Sequence, residues 1–141
     1  MTEKELLALL TLQYTPNLGD GSIKKLLQHF GSATAVLEQK KSTLLKIDGI
    51  GEHKLKAFGN EEYHAFAKAE LKFIQDNNIN ICAFTDEQYP QRLKHCLDGP
   101  VLLFSRGNIN WNNRRIISIV GTRKITTYGE HFIKKLIKSL N

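Results

Sequence analysis

Cysteine is scarce in this 141-residue chain: there are two, Cys82 and Cys96. They form no Cys-x-x-Cys pair, and no histidine stands at zinc-finger spacing from them. A disulfide framework and a metal site are therefore not expected. Each cysteine reads as a small buried apolar residue of a reduced compartment. Long apolar runs are also missing. None approaches the roughly 20 residues of a membrane-spanning helix, and Met1-Thr2-Glu3-Lys4-Glu5 is too acidic to open a secretory signal. A cytoplasmic location is the simplest expectation. The five histidines (His29, His53, His64, His95, His131) are scattered and pair with no nucleophile, so nothing assembles a catalytic group. The expectation is a protein that is not an enzyme and carries no cofactor.

Arginine is missing from the first part altogether. Residues 1–80 carry ten Lys against ten Asp and Glu and are neutral. Residues 81–141 carry ten Lys and Arg against four acids and hold the whole net charge of +6, including all five arginines (Arg92, Arg106, Arg114, Arg115, Arg123). A basic half suits a polyanionic partner, because phosphate contacts release counterions.

The pattern in the first part is helical. Leu6, Leu7, Leu9, Leu10 and Leu12 form an apolar stripe after an acidic first turn. Pro16, Gly19 and Gly21 then break the chain. Ser22 can cap the next helix, whose inward face is Ile23, Leu26, Leu27 and Phe30, with Gly31 placed as the glycine after its end. Ser32 or Thr34 can start a short helix through Val36 and Leu37. A second glycine-bearing turn, Ile47-Asp48-Gly49-Ile50-Gly51, precedes a helix with Leu55 and Phe58 inward. Aligning Leu18-Gly19 with Ile50-Gly51 gives an offset of 32 residues that also places Ile23 on Leu55, a weak internal repeat. A long helix from about Glu61 to Asn77 closes this part.

Near residue 78 the period changes. Residues 79–84 have strand length and character. Tyr89-Pro90 reads as a helix opening, and Val101-Leu102-Leu103-Phe104 as a short buried strand closed by Gly107. The run Arg114 to Val120 reads as a strand covered on both faces. A last helix begins near Tyr128, with Phe132, Ile133, Leu136, Ile137 and Leu140 on one face and Lys134, Lys135 and Lys138 on the other. The chain thus passes from all-helical (1–77) to α/β (78–141), with no low-complexity linker between.

Two places can carry binding chemistry. A Gly-apolar-Gly turn such as Gly49-Ile50-Gly51 lets the backbone approach phosphate, as in helix-hairpin-helix modules, with Lys54 and Lys56 adding charge. The balanced local charge favours a purely structural hairpin there. The second place is Ile116 to Gly129: a predicted strand, Gly121 at its end, then a loop into a helix. Ligands of open α/β sheets bind beyond strand carboxyl ends. Gly121 permits close approach, Arg123 offers a planar fork of donors with Lys124 beside it, and Thr126 or Thr127 can cap the helix or donate a hydroxyl. Neither the dinucleotide fingerprint nor the P-loop pattern is present. Tyr89, Trp111 and Tyr128 are candidate stacking aromatics for a single strand.

Val120-Gly121-Thr122-Arg123 followed by Thr127-Tyr128-Gly129 resembles the Val-Gly-Ser/Thr-Arg…Ser/Thr-x-Tyr-Gly signature of the DprA/Smf family of DNA-processing proteins. Asp86-Glu87-Gln88-Tyr89-Pro90-Gln91-Arg92-Leu93 and Asp98-Gly99-Pro100-Val101-Leu102-Leu103-Phe104-Ser105-Arg106-Gly107 resemble two further family motifs, and Phe30-Gly31-Ser32 with Gly49-Ile50-Gly51 matches its amino-terminal part. The resemblance implies a helix-hairpin-helix (SAM-like) domain over 1–77 and the amino-terminal part of an extended Rossmann-like DNA-binding domain over 78–141. It implies single-stranded DNA binding and protection, with loading of the recombinase RecA in natural transformation and DNA recombination. It places Gly121, Thr122, Arg123 and Thr127 against DNA, and makes Tyr128 and Gly129 structural. Compared with the family pattern the chain stops just after the first Rossmann helix. The RecA and dimer surfaces are expected in the later strands. Weak DNA binding and edge-to-edge or swapped homodimers are the corresponding expectations. Two rivals from other classes are a nucleotide-binding Rossmann-type enzyme and a helical protein-interaction module.

Overall fold

The computed structural model describes residues 1–111, 113 and 115–140; Arg114, which opens the predicted third strand, lies outside them. Six helices come first: α1 (Glu3–Tyr14), α2 (Asp20–Phe30), α3 (Ala33–Leu37), α4 (Lys41–Leu44), α5 (Glu52–Leu55) and α6 (Glu61–Asp76). Strand β1 (Asn80–Ala83), helix α7 (Gln91–Lys94), strand β2 (Leu102–Ser105) and helix α8 (Thr127–Leu140) follow.

Local chemistry explains most of the boundaries. The Thr2 hydroxyl accepts from the Glu5 N–H and opens α1. The Ser32 hydroxyl does the same for Ala35 at α3, and the Asn60 side chain accepts from Glu62 at α6. Gly31 stops α2 at φ 84, where a Cβ would be strained. Glu5 makes the longer-range cap: its carboxylate accepts from Ala33 N, and from Thr34 N and Thr34 Oγ1 at 3.1 and 2.9 Å. A carboxylate at a helix start is also favoured by the helix dipole. Ser22 is not a cap. Gly19 precedes the first residue of α2, so Ser22 falls inside the helix and is buried.

The 32-residue offset holds in three dimensions. Leu18 N donates to Thr15 O, and Ile50 N to Ile47 O. Asn17 (φ 66) and Gly49 (φ 77) hold the same left-handed position, one that asparagine and glycine tolerate best. Leu18 and Ile50 are buried plugs, Gly19 and Gly51 precede their helices, and Ile23 and Leu55 point into the core.

One apolar cluster runs through Leu9, Leu12, Leu26, Val36, Leu55, Ala67 and Ile74, with α1 packed on α6 and α3. Burial of each such leucine contributes about 1.5–3 kcal/mol. The same cluster takes in Ala83, Val101 and Leu102, so the strands close onto the helices. β1 and β2 pair antiparallel, Ala83 opposite Leu102 and Asn80 opposite Ser105.

Three further expectations are corrected. Residues 115–120 form no strand. β1 and β2 pair with each other and neither pairs with this run, whose apolar side chains are exposed, Val120 at 93%. A β-branched run becomes a strand only where a ladder partner satisfies its backbone. Cys96 is exposed, in the turn after α7, and Cys82 is half-buried. Burial holds the Cys82 thiol above its ordinary range; Asp86 adds to this and Lys94 opposes it. Tyr89 is fully buried and so offers no stacking face.

Asp20 fastens the two parts: its Oδ1 accepts from Gln13 Nε2 at 3.3 Å and from Val101 N at 3.0 Å. Replacing Asp20 by Ala leaves a part-buried N–H unpaired. The expected loss is about 1.5–3 kcal/mol, read as a lowered urea midpoint at unchanged slope.

Candidate functional site

The motif residues that carry the family resemblance divide into fasteners and a loop. In the first motif Asp86 Oδ2 accepts from Ala83 N at 2.8 Å and closes the turn after β1. Three residues on, Tyr89 enters the core and donates its hydroxyl to Pro100 O at 2.6 Å. Pro100 belongs to the second motif, so the two motifs lock each other. Gly99 beside it allows a close backbone approach: a Cβ there would lie 2.9 Å from Leu93 O. These residues place the chain.

The loop from Gly121 to Thr126 leads into α8. Thr122 Oγ1 donates to Lys124 O at 2.7 Å, a local bond that folds the loop around Arg123. Thr126 Oγ1 accepts from Gly129 N at 3.1 Å, so Thr126 is the helix cap. Thr127 is the first helical residue, and its carbonyl lies 3.2 Å from His131 Nδ1. Gly129 has little room: a Cβ would meet Ile125 Cγ1 and Thr126 Oγ1 at 3.3 Å. Its role is to let the cap close. Gly121 is in open space, so a ligand, rather than the fold, would be what requires a glycine there.

Arg123 and Lys124 are exposed. Among the described residues the ion pair found is Lys134 with Glu130, 2.6 Å apart, which leaves the loop cations without a carboxylate partner. That pair is exposed and contributes little to stability, but it engages the acid nearest the loop. Tyr128, 80% exposed, stands beside the cap. The structure therefore presents Gly121, Thr122, Arg123, Lys124 and Thr127 on one accessible turn, while Thr126 is taken up by capping. It encloses none of them in a strand-end crevice, because the preceding run forms no strand. Among the described residues no group of three His, Cys, Asp or Glu could hold a metal ion, and no helix is long and apolar enough to cross a membrane. Linear spacing also carries no signal for a lysine-lined cleft beside α2.

Residues 80–141 match the family described as DNA recombination-mediator protein A. Over 81 residues the chain is 32% identical to the protein named DNA processing protein DprA of Bacillus subtilis (strain 168), a match covering 57% of this chain and 27% of that relative. The chain thus spans about a quarter of the curated relative that it matches. No solved structure matches.

Two outcomes are expected from this geometry. Thr126→Ala removes the α8 cap and lowers helix stability by about 1 kcal/mol, read as faster amide exchange in residues 127–131. Tyr89 is held above its ordinary 10.0 by burial first, then by Asp20 and the Cys82 and Cys96 thiols. The folded state prefers the neutral phenol, so its contribution is complete below about pH 10 and is lost as pH rises beyond. Tyr89→Phe should flatten that alkaline loss of stability, measured by denaturation between pH 9 and pH 11.

Proposed function

We propose that the segment 121–127 binds the phosphate backbone of single-stranded DNA, and that a protein containing it protects such strands and loads the recombinase RecA during natural transformation. The observation that carries the reading is the pair Arg123 and Lys124, exposed and without a carboxylate partner among the described residues, at the start of a 14-residue helix. An arginine fork and free helix N–H groups favour the same ligand, a phosphate. The matched family supports DNA as its source, and the basic half of the chain supports attraction to it. In this reading the two glycine-bearing turns are helix-hairpin-helix elements, residues 78–141 are the opening of a Rossmann-like domain, and the protein acts in the cytoplasm by binding, not by catalysis. The uncovered apolar run 115–120 and the exposed Phe132, Ile137 and Leu140 of α8 are the face for self-association in the same reading.

A protein-docking role of the helical part has one observation in its favour, the exposed aromatic group of Tyr14 and Phe66, with ring centres 5.9 Å apart. Salt separates it from phosphate binding, which alone weakens steeply with ionic strength.

The test is fluorescence anisotropy of a labelled single-stranded oligonucleotide, against duplex and at two salt concentrations. Single strand should bind better than duplex and lose affinity with salt. Arg123→Ala should weaken it by roughly 10- to 100-fold, the value of a charged hydrogen bond. Unchanged affinity in that variant would sink the assignment.

A further inference from the structure

A cavity of about 960 Å³ lies between the start of α2, helix α5 and the turn after α7. Four lysines line it: Lys24 and Lys25 from α2, Lys54 from α5 and Lys94 at the end of α7. They come from three separate stretches of sequence: the glycine-bearing turns bring Lys24, Lys25 and Lys54 together, and α7 adds Lys94. Under the 32-residue offset Lys54 takes the place of Ser22, which lines the same cavity. Both turn-helix units therefore face one cleft.

The lysines are not spent on acids. Lys24 Nζ donates to Cys96 O at 3.2 Å and lies 5.7 Å from the centre of the Phe84 ring. Lys25 Nζ donates to Asp48 O at 3.4 Å, and Lys54 Nζ to Gly49 O at 2.8 Å. These acceptors are neutral carbonyls, and an ammonium has three donors, so charge and donors remain for a ligand. Among the described residues none of the four is ion-paired. Two carboxylates, Asp20 and Asp98, share the lining, and Asp20 is engaged by Gln13 and Val101. Four cations against two carboxylates leave the wall positive.

We infer that this cleft binds the phosphate backbone of a nucleic-acid strand, at a site separate from the 121–127 loop. The cleft continues along α2: a neighbouring hollow shares Lys25 and Gln28 with it and reaches His29 and Asp48. Four lysines spread over a cleft of this size fit successive phosphates better than one small anion; the neighbouring hollow adds the acid Asp48 and no further lysine. The ammonium groups of Lys24, Lys25 and Lys54 are held in place by carbonyls rather than by opposite charge, so phosphate contact there breaks no ion pair. Binding there is sequence-independent, as expected of backbone contacts.

The experiment uses the whole chain and a labelled 20-nucleotide single strand, with anisotropy read across a salt series. Lys25 and Lys94 are exposed, so Lys25→Gln with Lys94→Gln is the mild variant; matching circular dichroism and thermal midpoint show that it folds. Affinity should fall roughly tenfold at low salt. The slope of log affinity on log salt should become shallower by about 1.4, two single-strand contacts at about 0.7 each. Lys25→Arg with Lys94→Arg should restore both. Polyglutamate of equal charge should compete poorly. An unchanged slope in the glutamine variant, or polyglutamate binding as tightly as DNA and lost in the same variant, would overturn the inference. Arg123→Ala in parallel separates the two sites: binding lost there but intact in the glutamine variant supports the loop alone, and the reverse supports the cleft alone.

Discussion

Asp20 accepts the side-chain amide of Gln13 and the main-chain N–H of Val101 through one oxygen, and much of the arrangement follows from that carboxylate. It sits in the first turn of α2, where the helix dipole favours a negative charge. It draws the segment leading into β2 against that helix start, next to Pro100, whose carbonyl takes the Tyr89 hydroxyl. Tyr89 in turn fixes the turn that Asp86 closes after β1. The strands thereby share a core with the helices, and the turn after α7 is brought over α2 to form one wall of the lysine cleft. Motifs that look like functional signatures in the linear sequence thus act as joints that build a surface.

The helical part was legible because its signals are local. The leucine stripe of α1, Gly31 at φ 84 and the Ser32 cap each act within a few residues. The repeat was legible from two residues, Leu18-Gly19 against Ile50-Gly51. Its confirmation came from a pair that differs in residue type but falls on the same offset, Asn17 and Gly49 at positive φ. Caps from a distance were not legible: nothing in the sequence links Glu5 to Ala33 and Thr34. The run 115–120 shows the opposite failure. Its β-branched composition is real, but a strand is a property of a pair, and β1 and β2 pair only with each other.

Charge behaved in the same way. Residues 1–80 are neutral by count, which argued against phosphate binding by the helical part. Counting ignores where charges end up. Lys24, Lys25 and Lys54 converge on one cleft, joined by Lys94 from beyond the helical part. Of the candidate site, the accessible turn with Arg123 and Lys124 was readable from the motif, whereas the division of labour between Thr126 as cap and Thr127 as first helical residue needed coordinates.

The proposed contact is between the turn at 121–127 and a single strand of DNA. Photo-cross-linking of a thiothymidine-containing oligonucleotide to the chain, with adducts located by mass spectrometry, tests it most directly. Adducts are expected within residues 121–128 and should be reduced by excess salt. A strand that binds and cross-links efficiently but leaves that segment unmodified would contradict it.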